Sequence, residues 1–127
     1  MNTVHGLLLG LALALAHPAS HAWADIIDDG EVVFKKCSEC HNIIDDGTKK
    51  TGPNLGGVIG RKAGTLKGYT YSPAMAASGI PWNRENMDRY LTNPSALVPG
   101  TKTTFPGLKE AADRAAVISF LEAQSES

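Results

Sequence analysis

Cysteine and histidine are scarce in this chain, and their placement limits the sites that it can build. The 127-residue sequence contains two cysteines and four histidines. Both cysteines fall in a single stretch, Cys37-Ser38-Glu39-Cys40-His41, and the other three histidines, His5, His17 and His21, all precede it. Disulfides between distant segments are therefore excluded. Because no Cys or His follows His41, a zinc site at this stretch could take its fourth ligand from the downstream chain only as a carboxylate.

The chain also lacks an excess of one charge and lacks the alternating pattern of β-strands. Twelve Lys and Arg face thirteen Asp and Glu, for a formal net charge of −1. There is no basic stripe and no basic amphipathic helix, so we expect neither nucleic acid nor a membrane surface as a partner. The length suits one domain. Helical periodicity without strand alternation predicts an all-α fold.

The first 24 residues are interpreted as a signal peptide. An unbroken apolar run from Gly6 to Ala16 is too short to span a bilayer. It is followed by Ala22-Trp23-Ala24, an Ala-x-Ala cleavage pattern, which predicts export to the periplasm and a mature domain over residues 25–127. Met1 to His5 carry no Lys or Arg, so an uncleaved anchor is the alternative. After cleavage, His41 would be the only histidine left.

The stretch from Cys37 to His41 has the Cys-x-x-Cys-His spacing that attaches haem through two thioethers. On a helical turn residues 37 and 40 share a face, and the adjacent imidazole can bind the iron. A thioredoxin-like redox pair would need a preceding strand, whereas helix is predicted here. A structural disulfide would leave His41 without a role. We therefore predict one haem c per chain, attached through Cys37 and Cys40.

The segment before this motif is predicted to be a helix that opens at Asp28. Asp28 as N-cap and Glu31 at N3 would form a capping box. Gly30, Phe34 and Cys37 then fall on one stripe. Glycine lowers helix propensity unless another element packs against its bare face, so Gly30 predicts a close helix crossing.

The remainder of the chain is predicted to hold a short helical piece, two helices and long loops. Asn83 can cap a helix stopped at Asn93-Pro94, residues 94–106 should be extended and turn-rich, and the last helix should begin near Lys109. Long loops in so short a chain need a large ligand to pack against. The prediction is a small fold of three main helices with loops wrapped around one haem.

Over residues 28–124 the chain resembles a class I cytochrome c of the mitochondrial and bacterial c2 type. Several segments besides the Cys37–His41 motif stand in that family's order and spacing. They are Thr51-Gly52-Pro53-Asn54-Leu55, Gly60-Arg61-Lys62-Ala63-Gly64, Gly79-Ile80-Pro81-Trp82, Tyr90-Leu91, Asn93-Pro94, Pro99-Gly100-Thr101-Lys102 and Phe105-Pro106-Gly107.

The resemblance implies a role for each matching residue of the haem pocket. His41 corresponds to the axial ligand, and the Pro53 carbonyl to the acceptor of its Nδ1 proton. Arg61, Tyr71 and Trp82 match positions that hydrogen-bond a haem propionate, and Phe105 matches one at the haem edge. Gly30, Phe34, Val117 and Phe120 match the crossing of the terminal helices.

One position departs from the family pattern. The methionine ligand follows Pro-Gly-Thr-Lys in the family, and here that position is Thr103, whose neutral hydroxyl is a poor iron ligand. Lys102 as a neutral amine, Met75 from a loop lining the pocket, and water or an open site are the candidates for the sixth position. Thr103 and Tyr90 could hydrogen-bond whatever occupies it.

The resemblance implies an electron carrier that docks transiently with redox proteins, as a monomer and not as an enzyme. Because a methionine ligand raises the haem potential, its loss predicts a lowered potential. The alternative is a haem protein with an open distal site that binds or reduces peroxide, NO or CO. Peroxidase-like activity should be weak at most, because no distal histidine can act as acid and base.

Overall fold

Helices and loops make up the part of the chain that the computed structural model describes, residues 10–13 and 19–125. Five helices follow in order: α1 (Ala19–Phe34), α2 (Pro73–Ala77), α3 (Arg84–Thr92), α4 (Pro94–Leu97) and α5 (Ala111–Ser125). Within the described ranges the β-structure is limited to an isolated bridge between Lys62 and Pro81. The predicted all-α fold with three main helices and long loops is confirmed.

The crossing of α1 and α5 forms the base of the fold. Gly30 faces α5 so closely that a Cβ at this position would collide with the Ala116 carbonyl and lie 2.6 Å from Cβ of Phe120. The rings of Phe34 and Phe120 pack with their centroids 5.3 Å apart. Gly30 is therefore tolerated in a helix interior because its bare face lets two backbones approach, as the sequence predicts.

Helix α3 packs against α5, and hydrogen bonds of one arginine connect α3, α5 and the segment just before α5. The Asn83 side chain caps α3 by accepting from the Asn86 amide, as predicted. The Arg114 guanidinium of α5 donates to the Asp88 carboxylate at 2.7 Å and to the carbonyls of Leu108 and Lys109. The largely buried Arg114 side chain thus links α5 to α3 and to the segment that precedes α5.

Two predicted boundaries are wrong. Helix α1 begins at Ala19, so Asp28 is an exposed residue of its interior and not its N-cap. The segment from Ala19 to Ala24 is rich in alanine, the best helix former, and it extends the helix upstream. Pro94 does not start an extended stretch, because the Asn93 side chain accepts from the Ala96 amide and caps α4, with proline at its first position.

The predicted signal segment lies largely outside the described residues, which include only 10–13 and 19–24 of it. Its Ala-x-Ala pattern at Ala22 to Ala24 lies within α1. Among the residues that the structure describes, no helix has both the length and the apolar character needed to cross a membrane.

Candidate haem-binding site

A cavity of about 720 Å³ lies between the end of α1, the loops, α3 and α5. The sequence-predicted site residues line it together although they come from all parts of the domain. They are Cys37, Cys40, His41, Pro53, Arg61, Tyr71, Met75, Trp82, Tyr90, Lys102, Thr103 and Phe105. Phe34, Leu55, Val58, Leu91, Val117 and Leu121 contribute apolar surface. The cavity is thus mostly apolar, with two thiols and one imidazole in its wall.

The two thiols are presented by a helical turn that continues α1 beyond its last residue. The Cys37 amide donates to the Phe34 carbonyl at 2.8 Å, and the amides of Cys40 and His41 both donate to the Cys37 carbonyl. Cys37 is half-buried, and burial together with the nearby Cys40 raises the pKa of its thiol. Both thiols lie at the cavity wall, and neither is in a disulfide.

The His41 imidazole is fixed by the hydrogen bond that the resemblance implies. Its Nδ1 lies 2.7 Å from the Pro53 carbonyl oxygen, which can only accept, so Nδ1 carries the proton and Nε2 keeps its lone pair. Burial lowers the pKa of His41, the Pro53 hydrogen bond opposes that shift, and the nearby Lys50 ammonium adds to it. A neutral imidazole with a free Nε2 is the form that binds a metal.

Gly52 is a site residue that the sequence does not reveal by itself. A Cβ at Gly52 would collide with the His41 ring, at 2.7 Å from Nδ1. The Gly52 amide also donates to the Cys40 carbonyl at 2.8 Å, which brings the Pro53 carbonyl beneath the imidazole. The only sequence signal was its place in Thr-Gly-Pro-Asn-Leu, since the close approach arises from tertiary packing.

Arg61 holds the loop that forms one side of the cavity. Its guanidinium donates to the carbonyls of Asn54 at 3.1 Å and Gly56 at 2.6 Å. Gly56 in turn packs against the Ile43 carbonyl with no room for a Cβ. Since a guanidinium has five N–H donors, these two bonds leave Arg61 with donors for an anionic group in the cavity.

The aromatic residues pack edge to face in two pairs along the wall. Trp82, only 7% exposed, lies 5.1 Å from Tyr90 between ring centroids, and Tyr69 lies 4.8 Å from Tyr71. Burial raises the pKa of Tyr90, partly offset by a hydrogen bond with the Thr101 side chain. Tyr90 therefore stays a neutral phenol.

The loop carrying Thr103 is held mainly by side chains. Thr103 Oγ1 accepts from the Phe105 amide at 3.2 Å. The exposed Lys102 ammonium donates to the Thr70 carbonyl at 2.6 Å and lies 4.8 Å from the Tyr69 ring centroid. Of the side chains considered for the sixth position, Met75 is buried in the cavity wall, whereas the Lys102 amine is engaged by the backbone carbonyl of Thr70.

The residues around this cavity fit a covalently attached haem. Two free thiols, a neutral imidazole with a fixed tautomer and an apolar cavity are the groups that a haem c requires. Groups of three or more His, Cys, Asp or Glu side chains able to hold a metal ion are absent from the described part of the chain.

The sequence of the chain is similar to those of known cytochromes c. The family profile described as Cytochrome c matches residues 27–125. The chain is 43% identical to cytochrome c2 of Rhodomicrobium vannielii over 124 residues, 98% of either chain. It is 46% identical to cytochrome c type-1 of Ascaris suum over 96 residues, 75% of this chain and 85% of that one.

A solved structure, cytochrome cH from Methylobacterium extorquens, matches with a TM-score of 0.72 at 36% identity. The matched region covers 76% of this chain and 97% of the cytochrome cH chain. The profile, the relatives and the structure all agree with the resemblance to class I cytochromes c. The chain belongs to the cytochrome c family, and it is a c-type cytochrome, an electron-transfer protein whose family implies covalently bound haem c.

Proposed function

We propose that the mature protein is a periplasmic electron carrier with one haem attached through Cys37 and Cys40 and bound axially by His41. The observation that carries the proposal is the 2.7 Å bond from His41 Nδ1 to the Pro53 carbonyl beside two free thiols. When attached, the haem supplies an iron that gains or loses one electron. His41 orients its Nε2 toward that iron, and the Pro53 carbonyl increases its donor strength.

The other cavity residues hold the haem and exclude water. Arg61, Tyr71 and Trp82 supply N–H and O–H donors for the propionates, and Phe105 covers the haem edge. The apolar surface lowers the local dielectric constant, which contributes to the haem potential. A mostly apolar cavity of this kind suits electron transfer, because few polar groups need to reorient when the charge changes.

Transient docking with redox proteins is proposed to use exposed lysines near the thiols. Lys35, Lys36, Lys49 and Lys50 surround the Cys37–His41 turn in sequence and are exposed. Exposed Glu39, Asp45 and Asp46 lie between these lysines. The positive charge of the lysines is proposed to speed association more than it strengthens it, as a carrier that must leave its partner requires. The protein is proposed to act as a monomer.

Export is proposed to remove residues 1–24. The family profile begins at residue 27, just beyond the proposed cleavage site after Ala24, which supports this boundary. Expression in a bacterium that matures c-type cytochromes should give a periplasmic protein starting at Asp25 with the mass of one haem added. Full-length protein retained in the membrane fraction would contradict the signal peptide and favour an anchor.

The carrier role itself is tested by electron exchange. The purified holoprotein should be reduced by a donor cytochrome complex and reoxidised by an oxidase in repeated cycles, faster at low ionic strength. A protein that can be reduced chemically but exchanges no electrons with any protein partner would contradict the carrier role. Redox titration should give a potential below that of His/Met cytochromes, since Thr103 offers no thioether.

The second candidate function is a haem protein that binds small ligands at the distal side. Two observations favour it. Thr103, at the position where the resemblance implies a methionine, lines the cavity. The ammonium of the neighbouring Lys102 donates to the Thr70 carbonyl. CO added to the reduced protein should then shift the Soret band rapidly. No response to CO would mean that a side chain such as Met75 fills the sixth position.

A further inference from the structure

One peptide unit of the cavity wall is held through both of its polar groups. The peptide that joins Thr51 to Gly52 carries the Thr51 carbonyl and the Gly52 amide in one plane. The Gly52 amide donates to the Cys40 carbonyl at 2.8 Å. The Thr51 carbonyl accepts from the Tyr69 hydroxyl at 2.8 Å, a contact between segments 18 residues apart. The two bonds together fix the orientation of this peptide.

That peptide lies directly before the residue whose carbonyl bonds His41. The Pro53 carbonyl oxygen is 2.7 Å from Nδ1 of His41, and the proline ring fixes the φ angle of Pro53. Gly52 is the joint between the fixed peptide and Pro53, and glycine has the least restricted backbone of any residue. A larger residue cannot stiffen this joint, because a Cβ at Gly52 would collide with the His41 ring. The position of the Pro53 carbonyl therefore depends on how firmly the Thr51–Gly52 peptide is held.

Tyr69 is itself held by contacts with its neighbours. Its ring packs edge to face against Tyr71, with the centroids 4.8 Å apart. The Lys102 ammonium lies 4.8 Å from the Tyr69 ring centroid and donates to the carbonyl of Thr70, the next residue. Tyr69, Thr51 and Lys102 all line the cavity. Tyr69 therefore connects the loop that carries Thr103 with the segment that carries Pro53.

We propose that Tyr69 is a positioning residue for the histidine ligand of the haem iron. Its hydroxyl holds the Thr51–Gly52 peptide, which keeps the Pro53 carbonyl against Nδ1 of His41 and so sets the donor strength of Nε2. The inference rests on the proposed function in that His41 binds the iron. A carbonyl that accepts the Nδ1 proton raises the basicity of the ligand, and a stronger donor stabilises ferric iron more than ferrous iron. Tyr69 thus lowers the haem potential by acting through His41.

Replacing Tyr69 with phenylalanine in the holoprotein tests this proposal. Tyr69→Phe removes the hydroxyl and keeps the ring beside Tyr71 and Lys102. The Nδ1 proton of His41, followed by NMR, should then exchange with solvent roughly two- to tenfold faster, as expected for the loss of one hydrogen bond between neutral groups. Redox titration should show that the haem potential rises.

Thr65→Val is the matched control. Thr65 is exposed outside the cavity lining, and its hydroxyl likewise donates to a backbone carbonyl, that of Lys62. Both the exchange rate of the His41 proton and the haem potential should equal those of the wild type. Tyr71→Phe is a second comparison for the exchange rate alone. It removes a hydroxyl that accepts from the Leu66 amide and makes no bond to Thr51, so the exchange rate should stay unchanged.

The free energy of unfolding, measured for each variant, separates positioning from general stability. If the exchange rate in Tyr69→Phe rises only as much as the unfolding equilibrium does, Tyr69 stabilises the fold and does not position His41. A change in the haem potential without faster exchange would also contradict the proposed route through Pro53.

The remaining outcomes distinguish this inference from the function on which it rests. If NMR shows His41 bound to the iron and Tyr69→Phe leaves both the exchange rate and the potential unchanged, the Tyr69 assignment is wrong and the proposed axial ligation stands. If His41 does not bind the iron in the wild type, the ligation and the inference are both wrong. A protein that shows the expected changes but exchanges electrons with no partner supports the role of Tyr69 and contradicts the carrier role.

Discussion

The two sides of the cavity are built by different kinds of contact. On the His41 side, backbone bonds fix the structure. The amides of residues 37 and 38 donate to the Phe34 carbonyl, and those of residues 40 and 41 donate to the Cys37 carbonyl. The amides of Gly52 and Leu55 donate to the carbonyls of Cys40 and Asn42. On the Thr103 side, residues 102–107 make no backbone–backbone hydrogen bond to any described residue. That loop is held by Lys102 and by Thr103 itself.

This difference indicates on which side of the cavity a side chain can be substituted without loss of the fold. Backbone bonds of the His41 side do not depend on side-chain identity, but they leave no room for added atoms. The Thr103 loop depends on side chains, so a substitution there alters the groups offered to the cavity while the helices remain in place. A departure from the family pattern at residue 103 is therefore compatible with an intact proximal geometry.

The largest expected effect is on the haem potential, when a methionine thioether replaces the hydroxyl of Thr103. Thr103→Met should raise the haem potential by more than about 0.1 V, within the roughly 0.8 V that axial ligands span. Redox titration and the far-red band of an iron–thioether bond measure the change. The wild type should lack this band, and Thr103→Val serves as the control without a thioether. A wild-type protein that already shows the band would mean that Met75 is the ligand.

An added methyl group on the His41 side should reduce stability. Gly52→Ala places a Cβ against the imidazole, and overpacking of this kind costs about 1–3 kcal/mol. The free energy of unfolding, from denaturant titration of the holoprotein, should fall by that amount. Thr104→Ala in the opposite loop, where Thr104 is exposed, should change it by less than about 0.5 kcal/mol. If both substitutions lowered the free energy of unfolding equally, the two sides of the cavity would not differ in how tightly they are packed.

The smallest effect concerns how the Thr103 loop is held. Lys102→Gln removes the ammonium from the Tyr69 ring, a contact of about 0.5–1 kcal/mol at an exposed site. If loop opening limits access, CO should associate roughly two- to fivefold faster, because each 1.4 kcal/mol corresponds to about tenfold. Stopped-flow mixing measures the rate. Lys67→Gln, at an exposed lysine outside the cavity lining, should leave it unchanged.

Features set by local sequence were predictable. The Cys37–His41 turn follows from a fixed spacing, and the Gly30 crossing follows from a glycine on an otherwise apolar stripe. The comparisons show that the chain belongs to the cytochrome c family, whose profile matches residues 27–125. The predicted pocket residues were chosen from segments that the resemblance identified, and they line one cavity.

Features that depend on tertiary packing or on competing local signals were not predictable. Asp28 and Glu31 offer a capping box, but alanine upstream extends α1 past it. Asn93-Pro94 ends one helix and caps the next, and only the first role was expected. Gly52 is needed because of the ring of His41, a contact between segments that no pattern within either segment reveals.

The crossing of α1 and α5 has a consequence for how the chain folds. It joins opposite ends of the domain, so the chain must close a loop containing almost every cavity residue before Gly30 meets Ala116. The entropy of closing a loop rises only slowly with its length, by about 0.6 kcal/mol per doubling, but contacts between distant segments slow folding. We expect Phe120→Ala to slow folding more than it speeds unfolding, if this crossing forms the folding nucleus.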